Sequence, residues 1–207
     1  KATGGVGGGA GIGSGKGSTG ETKIDITQDA LVYAYGSGGA AIGSGESSTG
    51  ETTINIHDTN PEKGVKSAFA YGGAGIGSGR YAKGKTYVTI SNASVSTLET
   101  PAASTNTSGA GIGTGAAIGS GSEGDVFSPP TGDPNTFKTI IRITDSNVTA
   151  SSDSSAAIGS GSYSTNATEI HINGGKIEAS NYSGSAIGSG DSAKGKTGIY
   201  ITGSNVT

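Results

Sequence analysis

The sequence predicts an all-β protein: a single parallel, right-handed β-helix of about six coils, each of about 29 residues with three short strands and with loop insertions. Three observations carry that expectation. A glycine-rich octet recurs along the chain. A segment of alternating apolar residues follows each octet at a fixed distance. Helix is disfavoured throughout the octets, because glycine at every second residue costs about 1 kcal/mol each relative to alanine.

The octets come first. They read GGAGIGSG at 8–15, GGAAIGSG at 38–45, GGAGIGSG at 72–79, GAGIGTGAAIGSG at 109–121, SAAIGSG at 155–161 and GSAIGSG at 184–190. Each is read as a strand with its Ile and the following Ser inward. Twelve residues after Ile12, Ile42, Ile76, Ile158 and Ile187 stand Ile24, Ile54, Val88, Ile170 and Ile199. Two further on stand Ile26, Ile56, Ile90, Ile172 and Ile201. These lie in the segments TKIDIT, TTINIH, TYVTIS, TIIRIT, TEIHIN and TGIYIT, whose period of two marks the second strand. Thr22, Thr52, Thr86, Thr139, Thr168 and Thr197 share the parity of the isoleucines and are expected to face inward. Leu31, Val95, Val148, Ile177 and Val206, five residues further on, mark the third strand. The shortest complete unit runs from Ile158 to Ile187, 29 residues. Stacked at about 4.8 Å per coil, six such units form a rod roughly 29 Å long.

Departures from the period read as loops thrown out at corners. NPEKG at 60–64 leaves Val65 as the fourth apolar residue of its unit, and LETPAASTNTS occupies 98–108. A duplicated half-octet, Ile112 then Ile118, and DVFSPPTGDPN at 125–135 lengthen the next unit. Pro, Gly, Asp and Asn dominate these inserts, as turns require. The apolar spacing is the same at both ends of the chain, so 1–207 is expected to be one domain. The chain starts in mid-coil and stops on a third strand without an amphipathic cap, which suggests a segment of a longer repeat protein or a subunit that stacks end to end.

Composition excludes several classes of function. The 207 residues include 41 glycines and no Cys, Met or Trp, and the net charge is −3. Without cysteine there is no disulfide framework, thiolate metal site or cysteine nucleophile. The charge gives no footprint for nucleic acid, and no apolar run nears the roughly 18 residues that span a membrane. A single octet resembles a phosphate loop, but it lacks the GK[ST] ending and a following helix. Neither cofactor nor metal is expected.

Two surfaces stand out. On the second strand the outward columns are Asp25, Asn55, Thr89, Arg142, His171, Tyr200 in the centre, and Lys23, Thr53, Tyr87, Ile140, Glu169, Gly198 beside them. The column on the other side is Thr27, His57, Ser91, Thr144, Asn173, Thr202. Arg142, Glu169, His171, Tyr200 and Tyr87 combine cation, imidazole, carboxylate and phenol in a mix that suits sugar hydroxyls or an acidic saccharide; a solvated strand face carries the same residue types. The second surface is the octet column. If Ile and Ser point inward there, Gly43, Gly45, Gly75, Gly77, Gly79, Gly159, Gly188 and Gly190 point outward with Ala41 and Ala186. They then form a flat contact face, or else serve backbone conformations that only glycine adopts easily. The other tyrosines are expected at strand ends or corners.

Catalytic chemistry finds little support. A polysaccharide-cleaving site needs clustered carboxylates, and the central column offers Asp25 alone, with Asp125 and Asp133 in an insert. Neither histidine is expected beside a serine and an aspartate. Six N-x-[ST] triplets, at Asn92, Asn106, Asn147, Asn166, Asn181 and Asn205, follow from an Asn/Ser/Thr-rich composition before they suggest glycosylation.

The GAGIGSG…TxIxI…V units resemble the glycine-rich β-helix repeats of large bacterial cell-surface and secreted, adhesin-like proteins. The GGA[AG]I element is also similar to the GGAI half of the repeats in chlamydial polymorphic membrane proteins, but the companion FxxN element is missing and that family is not assigned. The resemblance implies an extracellular or cell-surface location and an adhesive or carbohydrate-contacting role, and no catalytic residue. Expected partners are polysaccharide, a host or neighbouring cell surface, or a second copy docking through coil ends or the Gly/Ala face. A polysaccharide lyase or hydrolase on the same scaffold, and a self-assembling filament, are the alternatives.

Overall fold

A computed structural model describes residues 1–5, 7–27, 30–59, 64–70, 73–97, 116–119, 121, 138–152 and 155–207. Three parallel sheets wind around one apolar interior, and no helix occurs among the described residues. The first sheet stacks six two-residue strands, the Ile–Gly pairs of the octets from Ile12–Gly13 to Ile187–Gly188. The second stacks the six alternating segments Thr22–Thr27, Thr52–His57, Thr86–Ser91, Lys138–Thr144, Ala167–Asn173 and Thr197–Thr202. The third has seven strands, from Ala2–Thr3 to Asn205–Val206. Six rungs enclose about five turns of a parallel β-solenoid, one fewer than the coils counted in the sequence.

Parallel pairing with the rungs above and below satisfies the backbone, and it aligns like residues in the core. Ile42, Ile76, Ile118 and Ile158 stack as one buried ladder, with Ile54, Val88, Ile141 and Ile170 as a second. The ladder Val65, Val95, Val148, Ile177 closes the third side. Exposure rises at the last rung, where Ile199 and Ile201 are 44% and 45% exposed because each packs against one neighbouring rung instead of two.

Three sequence expectations change. The third-strand apolar position of the first rung is Val32, not Leu31: Val32 pairs with Val65, while Leu31 is 56% exposed. Of the duplicated half-octets, the solenoid uses Ile118, which pairs with both Ile76 and Ile158. Ile112 and the inserts at 98–108 and 125–135, with Asp125, Asp133 and Asn106, lie outside the described residues.

The octet is the largest correction. Only its Ile–Gly pair is strand, and the residues around that pair fold into a compact bend. The Ala40 N–H donates to the Ser44 carbonyl at 2.9 Å, and Ala74 and Ala156 repeat the bond to Ser78 and Ser160 at 2.9 and 3.0 Å. Ala41, expected outside, belongs to the core, as does Ala157; Ala186, their equivalent on the last rung, is exposed as expected. Burial therefore comes from the next rung along the axis.

Gly43, Gly45, Gly75, Gly77, Gly79, Gly159, Gly188 and Gly190 are all buried and present no open flat face. Gly77 shows the reason. Its φ is 140°, and a Cβ there falls 1.8 Å from the carbonyl oxygen of Gly119 on the next rung. Bend and stacking together leave no volume for a side chain. The serine that follows ties the rungs together: Ser14, Ser44, Ser78 and Ser160 Oγ accept the N–H of Gly45, Gly79, Gly121 and Gly190 at 3.0, 3.0, 2.9 and 3.1 Å.

Candidate functional site

Every rung of the second sheet has a strand of six or seven residues, so it carries several outward columns along its whole stack. Period-two alternation buries its isoleucines and leaves the intervening residues on the surface. Pairing brings Asp25, Asn55, Thr89, Arg142, His171 and Tyr200 side by side on successive rungs, as the spacing predicts. Tyr87, Ile140, Glu169 and Gly198 align beside them.

Within this surface His171 is the best-anchored side chain. Its Nε2 lies 2.6 Å from Glu169 Oε1, two residues earlier on the same strand and therefore on the same face. Its ring stacks on Tyr200 with centroids 4.7 Å apart and planes 13° from parallel. That separation is close to the ~4.8 Å spacing of rungs, so the rings pile up along the rod and cover one face of each other. The Tyr200 ring reaches back along its own strand, with its hydroxyl 3.6 Å from where a Cβ on Gly198 would stand. A Cβ at Gly198 would stand in ordinary contact with Tyr200 Cε2 at 3.4 Å, so the ring lies over that position.

Arg142, the next residue in the column, is exposed and forms no ion pair among the described residues. Glu169, the nearest aligned carboxylate, is engaged by His171. Tyr87 is half-buried beside Ile140. Arg142, Glu169, His171 and Tyr200 thus form one patch, with Tyr87 at its margin.

The opposite end of the sheet is self-contained. Asn55 Nδ2 donates to Asp25 Oδ1 at 2.7 Å, and Lys23 Nζ lies 3.3 Å from Oδ2. The Asn55 bond, assisted by Lys23, holds the Asp25 carboxyl below its ordinary value. His57 Nδ1 lies 3.0 Å from Ser91 Oγ, its neighbour in the outward column. Among the described residues no group of three or more His, Cys, Asp or Glu is placed to hold a metal ion, and no helix is long and apolar enough to cross a membrane.

Sequence reasoning missed two groups of residues. Tyr33 and Tyr35 lie within the strand Leu31–Gly36, not at a corner, and Lys1 Nζ sits 5.1 Å from the Tyr35 ring centroid. Arg80, Tyr81, Lys83 and Lys85 share one corner, and the signal for them was present as the run RYAKGK at 80–85.

Comparison with protein-family models, with curated proteins and with solved structures finds no match. The residues themselves therefore carry the functional argument.

Proposed function

We propose that the protein is an extracellular or cell-surface rod that binds polysaccharide without cleaving it, through the patch of Arg142, Glu169, His171 and Tyr200. The observation that carries this reading is the alignment of Arg142, His171 and Tyr200 on consecutive rungs, with His171 fixed by Glu169. Sugars are recognised by convergent donors and acceptors on a surface that does not have to rearrange. The guanidinium offers planar paired donors for a carboxylate or two hydroxyls, and the phenol both donates and accepts. Stacking and the Glu169 bond hold the rings before any ligand arrives, which lowers the ordering cost of binding. The likeness to adhesin-like repeats supports the location and the absence of chemistry.

A glycan and extracellular-matrix array, followed by titration of its hits, tests the proposal. Threonine stands in the same column at Thr89, so Arg142→Thr and Tyr200→Thr are compatible with the strand. The expected result is binding that falls at least tenfold in the double variant while the melting temperature holds. Release of unsaturated or reducing ends from pectins or other acidic glycans would overturn the non-enzymatic reading, and unchanged affinity in the variant would remove the patch.

A further inference from the structure

His171 is committed at one ring nitrogen and uncommitted at the other. Nε2 lies 2.6 Å from Glu169 Oε1. An ionised carboxylate only accepts, so Nε2 carries the hydrogen in that bond. In the neutral imidazole Nδ1 is then a bare acceptor, and it has no hydrogen-bond partner among the described residues. The side chain is open to solvent over 36% of its surface. A flip of the ring would preserve the stacking on Tyr200 but forfeit the Glu169 bond, so Nδ1 is held as the nitrogen left for a ligand.

The charged and titratable groups around the imidazole are few. Glu169 stands on its own strand. On the strand Lys138–Thr144, Arg142 pairs with His171 and Ile140 with Glu169, while Lys138 at the start pairs with Ala167. On the strand Thr197–Thr202, Tyr200 pairs with His171 and Gly198 with Glu169. Thr144, Asn173 and Thr202 border the column on its other side and carry no charge.

We infer that His171 makes the patch selective for carboxylated polysaccharides and couples their capture to a proton: a carboxylate between Arg142 and His171 binds with a proton on Nδ1. The neutral imidazole presents a lone pair, which accepts from a sugar hydroxyl and repels a carboxylate oxygen. A proton taken from solvent reverses this preference. Nδ1–H then donates to the carboxylate in a charge-assisted bond, the Arg142 guanidinium donates beside it, and Glu169 balances the imidazolium at Nε2. Affinity for a carboxylated chain therefore rises as pH falls through the range in which imidazoles gain a proton, and affinity for a neutral chain does not. The inference rests on the polysaccharide reading above, but that reading requires no pH dependence, so the two fail separately.

Polygalacturonate and a neutral cello-oligosaccharide are the probes, titrated calorimetrically against the whole chain near pH 5.5, 7 and 8 in buffers of high and low ionisation enthalpy. Uronate carboxyls ionise at about pH 3.5 and stay charged throughout. The expected outcome is polygalacturonate affinity about fivefold or more higher at the lowest pH, net proton uptake on binding near pH 7, and no such rise for the neutral probe. Asn55 stands in the same column, so His171→Asn is compatible with the strand. That change should remove both the pH dependence and the proton uptake. His57, the chain's other histidine, lies three rungs away, and His57→Asn should keep both. Polygalacturonate binding of equal affinity at all three pH values, without proton uptake, overturns the inference and leaves the polysaccharide reading standing. A pH dependence that persists in His171→Asn, or one shared by the neutral probe, overturns it as well. Binding of neither probe overturns the inference and that reading together.

Discussion

The octet sheet and the long-strand sheet are wound from the same rungs, yet they constrain sequence in opposite ways. In the octets Gly43, Gly77, Gly119 and Gly159 each face the backbone of the next rung. Gly77 and Gly79 each have a carbonyl of a neighbouring rung where a Cβ would stand, at 1.8 and 2.4 Å. In the long strands only alternate positions are enclosed, and the outward ones range from Asp25 through Arg142 to Tyr200 without disturbing the pairing. Uniform residues therefore mark where the backbone leaves no room, and varied residues mark where the surface is free to acquire function. The glycine repeats that dominate the sequence are its scaffold. Binding has to be sought where the repeat is least uniform.

The sharpest way to break this comparison is to place a side chain in the octet. Gly77→Ala combines a backbone conformation closed to alanine with the Gly119 carbonyl at 1.8 Å. We expect a loss above about 4 kcal/mol, or no folded protein, in urea unfolding. A loss below about 1 kcal/mol would mean that the rungs separate easily. The same change at the outward Thr89 should leave the curve within about 0.5 kcal/mol of wild type.

A smaller effect separates the interior from the last rung. Ile172, 1% exposed between two rungs, should cost about 2–5 kcal/mol on truncation to alanine. Ile201 occupies the same ladder position but is 45% exposed, and its truncation should cost less than about half as much. Equal losses in paired denaturation curves would show that the last rung is as well covered as the interior.

The smallest effect concerns the serine that bridges octets. Ser44→Ala leaves the buried Gly79 N–H without its acceptor, which should cost about 1–3 kcal/mol. Amide exchange at Gly79 should accelerate relative to Ile76, whose N–H bonds to the Ala117 carbonyl. Unchanged exchange at Gly79 would show that the hydroxyl is dispensable.

Much of this architecture was legible in the linear pattern. Period two placed Ile54, Val88 and Ile170 inside and put Arg142, His171 and Tyr200 in one column, because alternation along a strand and equal spacing between octets fix both choices locally. The candidate patch was legible for the same reason, whereas the corner RYAKGK, whose AKGK recurs at 193–196, carries no apolar periodicity to draw attention to it. Whether Arg142 and its neighbours bind a saccharide is a matter for the titrations, since the pattern specifies neighbours and not ligands.

What the sequence determined by itself, then, is the solenoid, its ladders and its outward columns, all of which follow from spacing along one strand and from one rung to the next. Tertiary structure alone decided that Val32 and not Leu31 completes a ladder, since it is Val32 that the pairing sets beside the buried Val65. It also decided that Ile118 and not Ile112 enters the stack, because either copy satisfies the local motif. And it confined the octet's strand to the Ile–Gly pair, with Ala41 and the octet glycines buried against the next rung. The stacking that buries them rests on bonds between residues some thirty or more positions apart, such as Gly79 N–H to Ser44 Oγ. Their geometry exists only once one rung lies on another.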